Sequence, residues 1–346
     1  MYIIGKGNLF VKFFSMIKLI TVLLLILNFF QLSGCKSGSD DPVEVWDQIH
    51  FTEFGRQPLW SPDGEYVLFG NDTPGSAGLY LWDLNNNPVV LHADIPAHNW
   101  DYGWSPNGSR IAFSSPGGAD DSLAGIWVYD VDADTLIHVF DNGRDVSWLY
   151  NSLEVVFRID NYDDNPPGIY KLLIPVDNEE LADPSLLIAN AHKPKGSPQN
   201  DFIAYSDNEI DGRMHVVDLD LEEVYHSGTG AVHWNWSYDG YKLVYIVNDY
   251  LSGSLSEVLW GVDVLHPENA DTLVRWATYP TSDESAEQVA FVRVQTGRVA
   301  GLWLYRAGDG EHRIASFGQN PSFHPTEDKI AMNSAGGGIR ILQRVR

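Results

Sequence analysis

One short motif recurs along this chain at a nearly constant spacing, and its clearest copy is Trp60-Ser61-Pro62-Asp63-Gly64. The copies begin, in chain order, at Trp60, Trp104, Trp148, Gly196, Trp236 and Phe323. The intervals between them are 44, 44, 48, 40 and 87 residues, and the last is about twice the others. A strand-like segment at Gln288–Phe291 places a degenerate copy at Ser282 inside this long interval. Regular intervals of this length indicate an array of equivalent structural units, here seven in number.

Each copy is followed by segments with the composition of β-strands. The first segment carries a large apolar residue nine positions after the copy begins, as at Phe69 and Tyr245. The next alternates aromatic and branched residues and often closes on Asp, as in Leu79–Asp83, and a further short strand follows. The Pro and Asp-Gly of the motif favour a tight turn between the first two strands. Four short strands in each unit predict an all-β fold, a seven-bladed β-propeller of four-stranded blades.

The seventh unit ends after its third strand, so one strand of its blade is missing from the C-terminal end. Residues Val43–Ile49 have the composition of a strand and precede the first motif. Pairing this segment with the last unit completes the blade and protects an edge strand that is otherwise exposed. We therefore predict a propeller spanning residues 43–346, closed by its N-terminal strand.

The motif and the strands around it resemble the PD40 (WD40-like) repeats of TolB-like β-propellers. The resemblance extends over residues 43–346 and is strongest in the copies at Trp60, Trp104 and Trp236. It implies a β-propeller in which the motif Trp packs between blades, and it implies a binding or scaffold function rather than catalysis. The motif itself specifies the fold and carries no chemistry.

The N-terminal residues have the features of a bacterial lipoprotein signal peptide. An apolar run of 12 residues at Leu19–Phe30 follows three lysines and is too short to span a bilayer. Leu32-Ser33-Gly34-Cys35 resembles a lipobox, which implies lipidation of Cys35 after removal of residues 1–34. Translation from Met16 is an alternative start, and residues 35–42 form a polar tether. We expect a lipid-anchored protein of the bacterial cell envelope, on the outer membrane, at its periplasmic side or at the cell surface.

Charge and cysteine content exclude several classes of function. The 346 residues include 47 acidic and 22 basic side chains, for a net charge of -25. A phosphate backbone is bound by clustered Lys and Arg, so nucleic acid is not an expected partner. A single cysteine excludes an intrachain disulfide framework and a thiolate zinc site. We expect a monomer whose partner is an envelope protein or peptide, and the negative charge of the chain favours a basic one.

Acidic residues are concentrated in the loops between the second and third strands of five adjacent units. These loops share one face of a propeller with the crossings between blades, so acids from several blades form one negative rim. Taken individually, each Asp is explained as a solvated turn residue. Taken together, the acids form a candidate binding face with aromatic residues of the loops, which are Trp100, Tyr102, Tyr162 and Tyr250. The candidate residues are Asp120, Asp121, Asp160, Asp163, Asp164, Asp207, Asp211 and Asp249.

No catalytic motif is present, so we predict no catalytic residue and no cofactor. The alternative is a propeller enzyme, a polysaccharide lyase or hydrolase, with a metal-assisted site at the central pocket. Oligogalacturonate lyases resemble this repeat family and hold a divalent cation through histidines, but His98, His192 and His233 precede their motifs by different offsets. Asp207–Gly212 resembles a calcium loop, but His215 and Asp218 already belong to the strand pattern of the repeat, so a simple Asp-Gly hairpin is the preferred explanation.

Overall fold

A computed structural model of the chain describes residues 45–73, 76–92, 101–116, 124–141, 143–160, 166–176, 180–249, 256–293, 300–334 and 336–345. Over these residues the fold is all-β, with 28 strands in seven antiparallel sheets of four strands each. The described segments contain no α-helix, and one 3-10 turn lies at Pro267–Asn269. The prediction of a seven-bladed β-propeller is confirmed.

Blades 1 to 3 follow one another along the chain, and each runs from its innermost to its outermost strand. Blade 1 consists of β2 (Arg56–Trp60), β3 (Val67–Asn71), β4 (Gly78–Trp82) and β5 (Val89–His92). Blade 2 consists of β6 (Tyr102–Trp104), β7 (Arg110–Pro116), β8 (Ala124–Asp130) and β9 (Thr135–Phe140). Blade 3 consists of β10 (Arg144–Trp148), β11 (Glu154–Ile159), β12 (Gly168–Leu173) and β13 (Ser185–Ala189).

Blades 4 to 6 repeat this order, and blade 7 takes its fourth strand from the other end of the chain. Blade 4 consists of β14 (His192–Gly196), β15 (Phe202–Ser206), β16 (Arg213–Asp218) and β17 (Glu223–Thr229). Blade 5 consists of β18 (Ala231–Trp236), β19 (Lys242–Asp249), β20 (Ser256–Asp263) and β21 (Asp271–Arg275). Blade 6 consists of β22 (Thr278–Ser282), β23 (Gln288–Arg293), β24 (Gly301–Arg306) and β25 (Gly310–Ala315). Blade 7 consists of β26 (Gln319–Phe323), β27 (Lys329–Asn333), β28 (Ile339–Arg344) and β1 (Trp46–Phe51).

The repeated motif forms the turn between the innermost and second strands, as its sequence predicts. In blade 1 the Ser61 hydroxyl hydrogen-bonds the Asp63 carboxylate, which also accepts the Glu65 amide at 2.9 Å. Gly64 has a φ of +76°, a conformation that disfavours a side chain. Its position is also crowded, because a Cβ there would lie 2.3 Å from the imidazole of His324 in blade 7. The motif turn of blade 1 therefore packs closely against blade 7.

The hydrophobic core lies between the blades, with apolar side chains on the faces of the second and third strands. The residue nine positions after the motif begins is fully buried in most blades, as with Phe69, Phe157 and Phe291. The motif tryptophans contact the neighbouring blade. The indole N–H of Trp236, in blade 5, donates to the carbonyl of Lys195 in blade 4 at 3.0 Å. Such contacts hold each blade against the preceding one.

The ring is closed by the strand pair that the sequence predicts. Strand β1 pairs antiparallel with β28, with Trp46 beside Arg344 and Phe51 beside Arg340. At the inner end of the blade, β26 lies against β2 of blade 1.

The predicted signal peptide, the lipidation site Cys35 and the tether all lie outside the described residues. In the part of the chain that the structure covers, no helix has the length and apolar character needed to cross a membrane.

Candidate binding site in the central channel

The innermost strands of the seven blades surround a central cavity with a volume of about 1100 Å³. Its wall runs from three residues before the end of each innermost strand to the motif turn that follows. Near the turns, the wall is formed by prolines and one aromatic residue, such as Pro62, Pro198 and Tyr238. The Tyr238 hydroxyl, from blade 5, donates to the carbonyl of Phe323 in blade 7 at 3.0 Å. This side chain therefore reaches past blade 6 at the turn end of the channel.

The innermost strands share an irregularity that brings one side chain per blade to the channel wall. In six of the seven blades the register between the first two strands shifts within the innermost strand. The residue at this shift, three positions before the last residue of the strand, has a φ between +45° and +55°. This conformation costs a non-glycine residue about 1–2 kcal/mol. Bulges of this kind turn a side chain away from the regular alternation and are frequent beside functional sites.

These bulge positions, together with the equivalent residue of blade 2, form a ring of polar side chains that we call the channel ring. In blade order its members are Gln57, Asp101, Asp145, Lys193, His233, Tyr279 and Asn320. The acidic members belong to blades 2 and 3, and the lysine and histidine belong to blades 4 and 5. The members from blades 6, 7 and 1 are neutral. Charge is therefore divided around the ring into an acidic and a basic sector.

Asp101 is the most perturbed acid in the channel. Its carboxylate accepts the Val146 amide at 2.8 Å and a short hydrogen bond from the Ser114 hydroxyl. Burial raises its pKa to about 7, and the negative charge of Asp145 adds to this effect. Asp101 can therefore gain or lose a proton near neutral pH.

The basic sector is formed by Lys193, Lys195 and His233. The Lys193 ammonium donates to the carbonyl of Glu209 at 2.7 Å, and the Lys195 ammonium hydrogen-bonds the Asn235 amide oxygen. Removal from bulk water lowers the pKa of Lys195 to about 8. The channel walls also lower the pKa of His233, because they displace bulk water and because Lys193 and Lys195 are nearby. The His233 ring lies 5.1 Å from the ring of Tyr279 in blade 6.

The charged groups of the channel differ from those of the rim above it. Arginines at the rim pair with acids, as Arg56 does with Asp72 at 3.1 Å and Arg144 with Asp160 at 2.8 Å. By contrast, Asp101, Asp145, Lys193 and Lys195 form no ion pair with any other residue that the structure describes. The hydrogen bonds of Asp101, Lys193 and Lys195 to other described residues all join them to uncharged groups.

The structure describes half of the acids predicted to form the rim. Asp160 pairs with Arg144 and Arg158, Asp207 with His215 at 3.3 Å, and Asp249 with Arg275 at 3.6 Å. The described rim therefore mixes acids with cations. Of the other predicted residues, Asp211 is exposed, while Asp120, Asp121, Asp163 and Asp164 lie outside the described residues, as do Trp100, Tyr162 and Tyr250.

Tyr102 is the one predicted rim aromatic that the structure describes, and it lies in the channel wall rather than in a loop. Its hydroxyl accepts the Gly70 amide at 3.1 Å and hydrogen-bonds the carbonyl of Gln57. The prediction of a loop position is wrong, since Tyr102 lies only two residues before the motif and belongs to the innermost strand β6.

The described segments contain no cluster of side chains that supports either metal-binding alternative. Among those residues, no group of three or more His, Cys, Asp or Glu side chains is arranged to hold a metal ion. In the Asp207–Gly212 turn, the Asp207 carboxylate accepts the Arg213 amide at 2.7 Å and pairs with His215. His98 lies outside the described residues.

Comparison with known proteins identifies the fold. No protein-family model matches the chain, and no curated protein matches it. Among solved structures, an oligogalacturonate lyase from Vibrio parahaemolyticus has a TM-score of 0.62 and 15% identity, over 86% of this chain and 91% of the lyase. The β-propeller domain of Cps50 (Swd1) from Myceliophteria thermophila has a TM-score of 0.58 and 12% identity, over 87% of this chain and 100% of that one.

TolB from Acinetobacter baumannii has a TM-score of 0.50 and 14% identity, over 78% of this chain and 66% of TolB. In fold, the chain is a β-propeller. At these identities the likeness concerns the fold alone, so the site of this propeller must be argued from its own residues.

The sequence analysis did not identify the channel ring, although the repeats contain a signal for it. Three positions before the end of each innermost strand, all seven copies carry a polar residue. In four copies a proline follows directly, at Pro58, Pro194, Pro280 and Pro321. Proline inside a strand is confined to edges and bulges, so a polar residue followed by proline marks the bulge and the side chain that it turns.

Proposed function

We propose that this protein is a lipid-anchored β-propeller of the bacterial cell envelope that binds a protein or peptide partner without catalysis. The central channel is its binding site, and the acidic rim extends that site at the end of the channel where the innermost strands begin. The anchor is Cys35, on the outer membrane, and the propeller acts as a monomer.

The observation that carries this proposal is the set of charged side chains in the channel that form no ion pair with any residue in the described segments. Leaving charges of both signs unpaired in a concave wall is costly for folding alone, and hydrophobic or paired residues would stabilise the ring better. Six bulged residues add backbone strain at the same place. Both features are accounted for when the wall is adapted to a ligand.

The rim supports a protein partner rather than a small molecule. Acidic and basic groups alternate at this end of the propeller, with Asp72, Asp160 and Glu209 beside Arg56, Arg144 and Arg158. Mixed charges around a recessed site favour orientation of a large partner. The TolB-like fold is compatible with this role.

Site-specific photo-crosslinking in intact cells tests the proposal. A photoreactive residue replaces Asn320 or Gln57 in the channel ring, and Val89, which is 64% exposed on the outermost strand of blade 1, is the matched control position. We expect one partner, identified by mass spectrometry, to be captured from the channel positions and not from Val89. Capture that is equal at Val89, or absent from both channel positions, contradicts the proposal.

A second function is favoured by the chemistry of Asp101. A carboxyl group with a pKa of about 7, beside Asp145 and in the same channel as His233, is suited to general acid–base catalysis at neutral pH. The fold is also similar to that of an oligogalacturonate lyase. The alternative is therefore a propeller enzyme that cleaves a polysaccharide in the channel.

Incubation of the purified protein with oligogalacturonates, followed by mass spectrometry of the products, tests the second function. A catalytic role for Asp101 predicts that Asp101→Asn lowers the rate by about 10²- to 10⁴-fold. If the wild-type protein leaves the oligosaccharides intact, this version of the enzyme hypothesis is wrong. The binding proposal is unaffected by that outcome.

A further inference from the structure

We infer that the channel recognises a peptide segment in which a basic residue lies next to an acidic residue. This inference rests on the proposed function and specifies the chemistry of the partner. The basic residue of the peptide contacts Asp101 and Asp145, and its acidic residue contacts Lys193 and Lys195.

The acidic and basic sectors meet at the boundary between blades 3 and 4. Asp145 and Lys193 hold the same position in neighbouring innermost strands, β10 and β14. The two strands are in direct contact there, since the Ser147 hydroxyl accepts the Gly196 amide at 3.1 Å. A ligand that crosses this boundary therefore meets a carboxylate and an ammonium group on adjacent blades.

Asp145 and Lys193 form no ion pair with each other or with any other described residue, although they are neighbours in the ring. Lys193 donates one of its three N–H groups to the Glu209 carbonyl, and no other residue that the structure describes accepts the remaining two. Asp101 accepts hydrogen bonds from the Ser114 hydroxyl and the Val146 amide, and it forms no ion pair with any described residue. The two sectors are thus separate and each can accept an opposite charge.

A ligand with one sign of charge fits this wall poorly. A cationic ligand gains from Asp101 and Asp145 but is repelled by Lys193 and Lys195, and an anionic ligand meets the reverse. A ligand that carries both charges avoids either repulsion, which is a source of specificity as well as affinity. The net charge of -25 on the chain favours cations at any surface, so the lysines in the channel indicate selection for a second, anionic group.

The size and the neutral part of the channel favour a peptide over a single amino acid. Small-molecule pockets have volumes of about 300–1000 Å³, and this cavity is about 1100 Å³. Gln57, Tyr279 and Asn320 complete the ring with amide and hydroxyl groups. These groups can donate and accept hydrogen bonds, as the backbone of an extended peptide requires.

Selection from a random 12-residue peptide library displayed on phage tests the inference. The targets are the wild-type protein, Asp145→Asn, Lys193→Gln and the charge-exchanged variant Asp145→Lys with Lys193→Asp. A Val89→Gln variant on the outermost strand is the control, and unchanged melting temperatures establish that each target is folded. Synthetic copies of the most enriched peptides are then measured by titration calorimetry.

We expect the wild type to enrich peptides with adjacent charges of opposite sign. Asp145→Asn should weaken such a peptide by about tenfold, as for loss of one hydrogen-bonded charge contact. A peptide in which the lysine is replaced by glutamine should then bind wild type and Asp145→Asn with equal affinity. Lys193→Gln should likewise weaken binding of the peptide by about tenfold. A peptide in which the acidic residue is replaced by its amide should bind wild type and Lys193→Gln with equal affinity. The charge-exchanged variant should enrich peptides in which the order of the acidic and basic residues is reversed.

Peptides enriched without a pair of opposite charges overturn the inference, as does an equal affinity of wild type and both single variants. Failure to enrich any peptide also overturns it. None of these results affects the photo-crosslinking test, in which a partner captured from the channel still supports the proposed function. The two ideas can therefore fail separately.

Discussion

Trp46 pairs with Arg344 in the outermost strand pair of blade 7, which joins the first described strand of the chain to the last. The pairing is reinforced along its length, since the Arg340 guanidinium donates to the Gln48 side chain at 2.7 Å. At its other end, Thr52 and Ile339 exchange hydrogen bonds through the Thr52 hydroxyl and amide. The closure that the repeats predict is thus an extended contact.

Deletion of residues 42–52 should strongly destabilise the propeller. It removes strand β1, exposes the edge of β28 and removes Trp46, which packs against the apolar cluster that contains Met332 and Leu342. We expect the melting temperature to fall by roughly 5–10 °C, which corresponds to a few kcal/mol for a domain of this size. Deletion of residues 36–41, in the predicted tether, is the control. An unchanged melting temperature for the 42–52 deletion contradicts this role of β1.

Two glycines of the repeated motif allow the contact between blades 7 and 1 to be measured. Gly64 and Gly108 have nearly equal φ values, +76° and +75°. A Cβ at Gly64 would lie 2.3 Å from His324, whereas the nearest atom at Gly108 is 3.8 Å away. Gly108→Ala should therefore cost only the backbone strain of about 1–2 kcal/mol. Gly64→Ala should cost about 1–3 kcal/mol more, because the buried imidazole must move.

Chemical denaturation of the two variants gives the comparison directly. The difference between their free energies of unfolding reports the steric contact with His324, since the backbone term is common to both. Equal destabilisation by the two substitutions shows that the turn of blade 1 is not tightly fitted against blade 7.

Stability should depend on the protonation of Asp101. Its pKa is raised from 3.8 to about 7, so between about pH 4 and pH 7 the folded protein holds a proton that the unfolded chain has lost. This contribution to stability is complete below pH 4 and is lost as the pH rises through 7. Asp101→Asn keeps an acceptor for the Val146 amide and should stabilise the protein above pH 7 by about 1–2 kcal/mol, since solvent in the channel screens part of the effect.

Melting temperatures of wild type and Asp101→Asn across pH 4 to 8 check this expectation. The advantage of the variant should grow with pH and level off above pH 7. A difference that is constant across the range shows that the substitution acts through packing and not through ionisation. Asp201→Asn, at an exposed carboxylate in blade 4, is a matched control.

The predicted acidic rim can be tested separately from the channel. Asn in place of Asp120, Asp121, Asp163 and Asp164 should weaken capture of the crosslinked partner and make capture less sensitive to salt, because long-range attraction is screened by ions. Association rates at low and high ionic strength provide the measurement. If capture is unchanged at every salt concentration, the rim does not contribute to binding and the channel acts alone.

The lipid anchor is tested by Cys35→Ala. We expect the wild-type protein to incorporate labelled fatty acid and to sediment with membranes, and the variant to lose the label. Retention of the label by the variant contradicts lipidation at Cys35. Loss of the label without release from the membrane points to an additional anchor.

The repeats by themselves specify most of the fold. The Pro and Asp-Gly residues specify a tight turn locally, and the period of about 40 residues fixes four strands per blade and seven blades. The closing strand was also predictable, because an incomplete last unit and an unassigned strand at the start leave one way to satisfy both edges. These features depend on residues close together in the chain or on simple counting.

The site depended on the tertiary structure. Asp101, Asp145, Lys193 and His233 belong to four different blades, and nothing local distinguishes a channel residue from a solvated one. The acids of the rim were visible as loop residues, but their pairing with Arg144, Arg158 and Arg275 was not, since those arginines come from strands that only the folded blades bring near. The raised pKa of Asp101 likewise arises from burial and from Asp145 in the next blade.

The sequence by itself therefore determined the scaffold: the number of blades, the turns and the strand that closes the ring. Only the tertiary structure decided which polar residue of each repeat lines the channel, and that the charges there are divided between adjacent blades. The physical reason is that turn geometry and strand periodicity are local properties of the chain. Burial and electrostatic interaction depend on distances between blades, which exist only once the ring is formed.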